Sequence, residues 1–148
     1  MYANTDVTGH DICIIALGVN DVAKGTTGGT TEYWLTQIVN KVKLANKGIK
    51  IFLCTITLAL FYRGYSEGVN TMISNVANNN DDCYLLDMTE YSECKANTPY
   101  VQGHLTAIGY NEYAKEIRSY ISKIIDDNLD DFRNIQFIGT DYDYNLKR

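Results

Sequence analysis

The stretch DICIIALGVND, residues 11–21, is the part of this sequence that says most about its fold. After Asp11 every residue up to Leu17 is apolar, and such a run without alternation is typical of a parallel strand covered on both faces. The run stops at Gly18, where a glycine suits a tight turn. The turn delivers Asn20 and Asp21 to the carboxyl end of the predicted strand, where sites commonly form in α/β proteins.

Two later runs have the same apolar character as the first. They are GIKIFLCTITLAL, residues 48–60, and CYLLDM, residues 83–88, and they predict a second and a third strand. Helical patterns lie between the strands and after the third one. This alternation predicts right-handed crossovers and a parallel sheet with helices on both faces. The expected fold class is therefore α/β, a three-layer α/β/α arrangement with a parallel sheet.

The helices follow from apolar residues that recur at helical spacing. The first is expected over residues 30–48, ending near Gly48. The second carries Tyr65, Val69, Met72, Ile73 and Val76. The third spans residues 106–125 with Thr106 as N-cap, and its expected buried stripe is Tyr113, Ala114, Ile117, Tyr120, Ile121, Ile124 and Ile125. Residues 126–148 are expected to form an acidic and aromatic, solvated C-terminal arm, whose NIQFIG segment (134–139) can add an edge strand.

Length and charge narrow the class of protein. The 148 residues predict a single domain, residues 1–148, and the formal net charge is −5. An acidic chain does not suit nucleic acid, whose phosphates attract basic surfaces, and it gives no support for an anionic membrane surface. We find neither an apolar stretch long enough to span a bilayer nor the pattern of a signal peptide. We therefore expect a soluble domain without nucleic-acid or membrane partners.

The four cysteines are spaced without a CxxC pair, so zinc and redox sites have little support. Cys13, Cys54 and Cys83 lie in or beside apolar runs, where a reduced thiol acts as a small hydrophobe. Free thiols are the favoured interpretation, and a disulfide between Cys83 and Cys94 is the alternative.

A second polar turn comes late in the chain. His104 lies at the centre of VQGHLTAIGY, residues 101–110, between the third strand and the last helix. Since the carboxyl ends of parallel strands share one edge of a sheet, Asn20, Asp21 and His104 are all expected there. Taken alone, each has a plainer interpretation: the first turn ends a strand and caps the next segment, and the histidine bonds to backbone.

Together these stretches resemble a known family. ALGVND, residues 16–21, is similar to the GxND block of the SGNH (GDSL-type) hydrolases, and GHLTAIGYNEYA, residues 103–114, is similar to their final block, in which a catalytic histidine precedes a helix. The resemblance covers residues 11–125, the C-terminal portion of such a domain, and implies a parallel, flavodoxin-like α/β sheet that lacks the first strands of the family. It implies that Gly18 makes the tight turn, Asn20 donates to an oxyanion and His104 is the general base. It implies no metal and no cofactor.

The sequence departs from the family at the nucleophile. The family's serine lies in a Gly-Asp-Ser motif upstream of the GxND block, together with a second oxyanion glycine, and residues 1–10 contain no serine. Val101 stands where the family usually has an aspartate that orients the histidine. The remaining serines lack the context of a nucleophile: Ser66, Ser74, Ser92, Ser119 and Ser122. We therefore expect this chain to be inactive, or nearly so, by itself.

The missing serine strand would also leave the strand at residues 11–17 at the edge of the sheet. An apolar edge with unpaired backbone groups tends to pair with another strand. An upstream fragment of the same polypeptide, a second copy of the chain or the C-terminal arm could cover it. We favour the upstream fragment, because it supplies both the strand and the nucleophile.

Two hypotheses follow. The first is an SGNH-type ester hydrolase domain, of the carbohydrate O-deacetylase type, acting on an acylated carbohydrate or another small ester. The second is a non-catalytic structural or carbohydrate-binding module of a phage virion or a cell surface, because GHLTAIGY and the tail are also similar to SGNH-like proteins of bacteriophages and gut bacteria. A flavodoxin-like signalling domain is disfavoured, since the sequence has neither a phosphate loop nor an acidic receiver cluster.

Overall fold

The computed structural model describes residues 6–23, 30–57, 63–89, 104–133 and 135. Within these ranges the strands are β1 (Ile12–Ile15), β2 (Lys50–Cys54) and β3 (Cys83–Leu86). The helices are α1 (Val19–Ala23), α2 (Thr30–Ala45), α3 (Arg63–Asn78), α4 (Ala107–Asp127) and α5 (Leu129–Phe132). The alternation of strands and helices that the sequence predicted is confirmed, and α1 and α5 are additional short helices.

The three strands form one parallel sheet in the order β1-β2-β3. Ile14 of β1 lies opposite Phe52 of β2, and Leu53 of β2 lies opposite Leu85 of β3. The strands are shorter than the apolar runs that predicted them, because those runs continue into the turns beyond each strand. β1 and β3 are the outer strands among the described residues, and β2 is buried along its whole length.

The alternating side chains of β2 divide the core into two clusters. Ile51 and Leu53 face α2 and α3, where Leu35, Val39, Val69, Ile73 and Val76 complete the first cluster. Phe52 and Cys54 face the other side, where Leu86, Met88, Leu105, Phe132 and Ile135 form the second cluster against α4. Helices therefore flank the sheet, which explains why the strands lack polar alternation.

The long helix α4 begins where the sequence predicted. The hydroxyl of Thr106 accepts a hydrogen bond from Gly109 N at 3.2 Å, as an N-cap does. The expected buried stripe is wrong at Ala114, which is exposed. Ala114 lies about 100° around the helix from Tyr113, and its single carbon is too short to reach the sheet from there. The rest of the stripe is only partly buried.

The start of the segment 126–148 does not form the solvated arm that the sequence predicted. Residues up to Asp127 continue α4, and the Phe132 ring of α5 is buried. The Phe132 ring stacks on Phe52 with centroids 6.1 Å apart and lies 5.2 Å from the ring of Tyr84. Three aromatic rings bury much apolar area, and this area outweighs the local acidity. The NIQFIG strand falls outside the described residues except for Ile135, which is buried.

A buried cation lies at the amino end of β2. Lys50 is almost fully buried, and its Nζ is 2.5 Å from Oδ1 of Asp82 and 5.7 Å from the centroid of the Phe132 ring. Asp82 adopts a φ of 60° in the turn before β3. The carboxylate compensates a charge that would otherwise be costly to bury.

The described helices include none with the length and apolar character that crossing a bilayer requires.

Candidate functional site

Gly18 makes the turn that ends the first apolar run. Its φ is +115°, and a Cβ at this position would lie 3.0 Å from Cγ1 of Val69 and 3.5 Å from Cδ1 of Ile56. The turn therefore needs a glycine both for its backbone angle and for its close approach to α3. The Gly18 carbonyl accepts hydrogen bonds from Asp21 N at 3.0 Å and Val22 N at 3.1 Å, which starts α1.

The two polar residues of this turn have different environments. Asn20 is exposed in the first turn of α1, so its amide is accessible to a ligand. Asp21 is half-buried, and its Oδ2 accepts a hydrogen bond from the hydroxyl of Thr31 at 3.0 Å. This bond joins α1 to the start of α2. Asp21 thus has a positioning contact that the sequence did not reveal.

His104 lies between β3 and α4 in the chain. It is exposed and stands directly before Leu105, which is buried in the cluster that also contains Leu86 and Met88 at the carboxyl end of β3. Because β1 and β3 are separated by β2 alone, the ends of these strands lie about 10 Å apart, twice the usual strand spacing. Gly18 approaches Ile56 just beyond β2, so the Asn20 turn lies at the carboxyl edge of the sheet, while His104 lies in the chain between β3 and α4.

Side-chain hydrogen bonds fix the chain just beyond the carboxyl ends of β2 and β3. Asn70 of α3 is buried, and its side-chain amide accepts from Ile56 N at 2.7 Å and donates to Ile56 O at 3.1 Å. The hydroxyl of Thr55 donates to Asp87 Oδ1 at 3.1 Å and accepts from Met88 N at 2.7 Å. These contacts fix the chain as it leaves β2 and β3.

The carboxylate of Asp87 accepts hydrogen bonds from residues close to it in the fold. In addition to Thr55, its Oδ1 accepts from Thr89 N at 3.0 Å and from the Thr89 hydroxyl at 2.6 Å. Such bonds close a turn after a strand. They support the interpretation of Asp87 as a structural residue.

None of the serines in the described ranges has the surroundings of a nucleophile near this edge. Ser66 is only 1% exposed, and its Oγ has no hydrogen-bond partner among the described residues, so a substrate cannot reach it. Ser119 is exposed but lies about 18 Å along α4 from Ala107, at 1.5 Å per residue, and Ser122 lies farther still. Ser74 lies inside α3, and Ser92 and Val101 fall outside the described residues.

The cysteines in the described ranges are free thiols, as the sequence favoured, and Cys94 lies outside them. Burial raises the pKa of Cys54 to about 11, although a hydrogen bond with Tyr113 opposes the rise. Burial also raises the pKa of Cys83 to about 11 and that of Cys13 above its ordinary value. A thiol that stays protonated at neutral pH is a poor nucleophile.

A cavity of about 270 Å³ opens beside the Gly18 turn. It is lined by Leu17, which follows β1, by apolar side chains of α2, by Asp21 and by Trp34, which is 52% exposed. Trp34 precedes the buried Leu35 in α2 and lies at the margin of the stripe that faces the core. Its exposure could not be read from the spacing alone.

A second cavity of about 260 Å³ runs along the outer edge of β1. It is almost wholly apolar and is lined by Val7, by residues 13–17 and by Ile38, Lys41, Val42 and Ala45 of α2. Leu17 and Ile38 border both cavities. Ile14 is 47% exposed and Leu17 is 52% exposed. Among the described residues β1 pairs only with β2, so its outer edge carries no strand there.

Within the described residues no three or more His, Cys, Asp or Glu side chains cluster so that they could hold a metal ion. The fold and the site together define a class: an α/β domain with a three-strand parallel sheet flanked by helices and polar residues at its carboxyl edge. Comparisons with known protein families, with curated proteins and with solved structures give no match to this chain.

Proposed function

We propose that this chain is part of an SGNH-type ester hydrolase domain, acting on an acylated carbohydrate or another small ester. The observation that carries the proposal is the shared carboxyl edge of one parallel sheet, with the glycine turn and Asn20 after β1 and His104 in the segment that follows β3. Asn20 and His104 are both exposed, so both side chains are accessible to an ester substrate.

The two side chains suit the two needs of acyl transfer. Hydrolysis of an ester builds negative charge on the carbonyl oxygen, and an amide donor held in place stabilises such a charge by about 3 kcal/mol. Asn20 is the proposed donor. A neutral imidazole such as His104 accepts the proton of a serine hydroxyl as the serine oxygen attacks the carbonyl carbon. The ester C–O bond then breaks and the alcohol takes this proton. Water next hydrolyses the acyl-serine, and His104 acts as base again.

The serine of this mechanism is expected on a further strand that pairs with the free edge of β1. The exposed side chains of Ile14 and Leu17 and the apolar cavity beside them give such a strand an apolar surface on which to pack. A strand at an unpaired edge gains backbone hydrogen bonds and apolar contacts together. An upstream segment of the same polypeptide is the occupant we propose, and a second copy of the chain is the alternative that the experiment separates.

The experiment compares two proteins in an assay with p-nitrophenyl acetate. The first is the 148-residue chain, which is expected to show no turnover that depends on His104. The second is an extended polypeptide read from the gene, carrying in frame any Gly-Asp-Ser strand encoded before Met1. The extended protein is expected to hydrolyse the ester and to lose at least a thousandfold of that rate with His104→Ala, because the base is lost.

Three outcomes contradict parts of the proposal. Turnover by the 148-residue chain that disappears with His104→Ala would show that the chain contains its own nucleophile. An extended protein without His104-dependent turnover would remove the hydrolase assignment. A stable dimer of the 148-residue chain in light scattering that Ile14→Lys dissociates would make the second copy the occupant of the edge.

A non-catalytic carbohydrate-binding module is the second candidate function. The observation that favours it is the cavity beside Asp21 and Trp34, which can hold a ligand without any nucleophile. The absence of an in-frame Gly-Asp-Ser strand in the gene, together with sugar binding, would favour the module over the enzyme.

A further inference from the structure

The cavity beside the Gly18 turn combines three kinds of surface in a small volume. Its walls are apolar at Leu17, Leu35 and Ile38, aromatic at Trp34 and polar at Asp21 and the threonines that begin α2. Small-molecule sites are typically apolar concavities with a few polar groups that fix orientation. The volume of about 270 Å³ lies just below the range of about 300–1,000 Å³ that drug-sized ligands occupy.

We propose that this cavity binds one pyranose ring of a carbohydrate through Trp34 and Asp21. The inference deepens the proposed function, on which it rests for the position of the ester, because it places the sugar beside the turn that carries Asn20. It assigns to Trp34 and Asp21 roles in holding the sugar and not in the chemistry of the ester.

Trp34 offers an apolar face to the ligand. The indole is about half exposed although it belongs to a helix whose stripe packs on the core. The Tyr33 ring packs edge-to-face against it, with centroids 5.1 Å apart and planes at 77°, which supports the orientation of the indole. A pyranose ring has one face of C–H groups, and this face fits on an aromatic plane while the hydroxyls point sideways.

Asp21 supplies acceptors for those hydroxyls. An ionised carboxylate has about four acceptor positions, and the bond from Thr31 uses one of them at Oδ2. The same bond keeps the carboxylate in place before a ligand arrives, so little rotamer freedom is lost on binding. The exposed Thr30, also at the cavity, adds a hydroxyl that can both donate and accept.

This mixture favours a sugar over a small organic cation. A small organic cation such as choline would use the aromatic face and the carboxylate but has at most one hydroxyl group, so it can form few of the hydrogen bonds that Asp21 and Thr30 offer. A polyhydroxylated ring uses all three groups. The apolar wall of Leu17 and Ile38 completes the contact with the ring edge.

The sole tryptophan of the chain makes the test direct. Fluorescence of Trp34 is followed while the 148-residue protein is titrated with chitotriose, cellotriose, maltotriose and choline chloride. At least one trisaccharide is expected to change the emission saturably, with a dissociation constant of about 1 mM, as suits one small ring with few anchors. Choline is expected to produce no saturable change at the same concentrations.

Variants then assign the site by calorimetry, which does not need the indole. Trp34→Ala is expected to weaken binding at least tenfold, and Asp21→Asn about threefold or more, because the amide keeps only part of the acceptor capacity. Leu44→Ala is the control, since Leu44 is an exposed residue of the same helix that does not line the cavity. Circular dichroism of each variant checks that the fold is retained.

Three results would overturn the inference. They are saccharide binding that Trp34→Ala leaves unchanged, no binding of any saccharide, and saturable binding of choline in place of sugars. The titrations use unacylated sugars, so they do not depend on the hydrolase assignment. Sugar binding without ester hydrolysis would contradict the hydrolase assignment and support the sugar site. Hydrolysis of p-nitrophenyl acetate without sugar binding would support the hydrolase assignment and contradict the sugar site.

Discussion

At the scale of single residues, Gly18 and Asn70 organise the candidate site. Gly18 allows the turn after β1 to lie against Val69, and Asn70 uses both ends of its amide to hold the backbone of Ile56. Both residues act on the chain just beyond a strand. The position of Asn20 at the edge of the sheet therefore depends on neighbours that take no part in the proposed chemistry.

Replacing Gly18 by alanine is expected to lower the free energy of unfolding by about 3 kcal/mol. A φ of +115° is strained for any residue with a Cβ, and the new methyl would meet Val69 Cγ1 at 3.0 Å. Gly48 is the matched control, because its φ is +85° but nothing lies within 4 Å of an added Cβ. Gly48→Ala is expected to cost about 1 kcal/mol. Urea unfolding of the two variants measures the difference. Equal decreases in the free energy of unfolding would show that the contact with Val69 of α3 does not contribute to the cost.

At the scale of secondary-structure elements, β1 and β3 differ in how they are covered. β3 packs against α3 on one face and meets the rings of Phe52 and Phe132 through Tyr84 on the other. β1 has an exposed Ile14 and an apolar cavity along its outer edge. Among the described residues the sheet is therefore well packed on the β3 side, whereas β1 has no strand on its outer side, where we propose a further strand.

Removing either partner of the ion pair between Lys50 and Asp82 is expected to change the free energy of unfolding by a different amount. Asp82→Asn keeps a residue that tolerates positive φ but leaves the buried ammonium of Lys50 without its carboxylate, which is expected to cost about 2 kcal/mol. Lys50→Met removes the buried charge and leaves a partly exposed carboxylate, so its cost is expected to stay below about 1 kcal/mol.

Glu112→Gln is the control for this prediction, since the ion pair of Glu112 with Lys115 lies on the surface of α4. Its expected effect is within about 0.5 kcal/mol. Urea unfolding of the variants gives the comparison. Asp82→Asn and Glu112→Gln with the same stability would mean that Lys50 finds another partner or reaches solvent.

At the scale of the whole molecule, the buried thiols are expected to make stability fall at alkaline pH. The pKa values of Cys54 and Cys83 are raised to about 11 in the folded protein, chiefly by burial. In the unfolded chain a thiol loses its proton near pH 8.5. Between these values the unfolded state binds fewer protons, so the free energy of unfolding decreases as the pH rises. The stabilisation is complete below about pH 8 and is lost towards pH 11.

Urea unfolding at several pH values between 8 and 10.5 measures this dependence. The double variant Cys54→Ala, Cys83→Ala is expected to be less stable at pH 8 but to lose stability less steeply above it. Some dependence remains, because burial also raises the pKa of Tyr84, whose hydroxyl donates to Asp131 at 2.9 Å. Equal slopes for the variant and the parent protein would show that the thiols titrate normally.

Much of the architecture could be predicted because it follows from local patterns. Unbroken apolar runs indicated the three parallel strands, and the apolar spacing from Val69 to Val76 indicated α3. The hydroxyl of Thr106 caps α4 within four residues of chain, so its role was readable from sequence neighbours. The turn at Gly18 could be predicted because the apolar run stops there and glycine is the residue that a tight turn favours.

The sequence by itself thus determined the α/β class of the fold and the succession of strands and helices along the chain, since periodicity and turn chemistry are properties of neighbouring residues. Only the tertiary structure decided which side chains meet across long separations: Thr31 on Asp21, Asn70 on Ile56, and Phe132 inside an aromatic cluster that its acidic surroundings concealed. It also decided that Trp34 lines a cavity and that β1 pairs only with β2 among the residues described. These features depend on how the helices pack on the sheet, and no periodic pattern of residues in the sequence reports that packing.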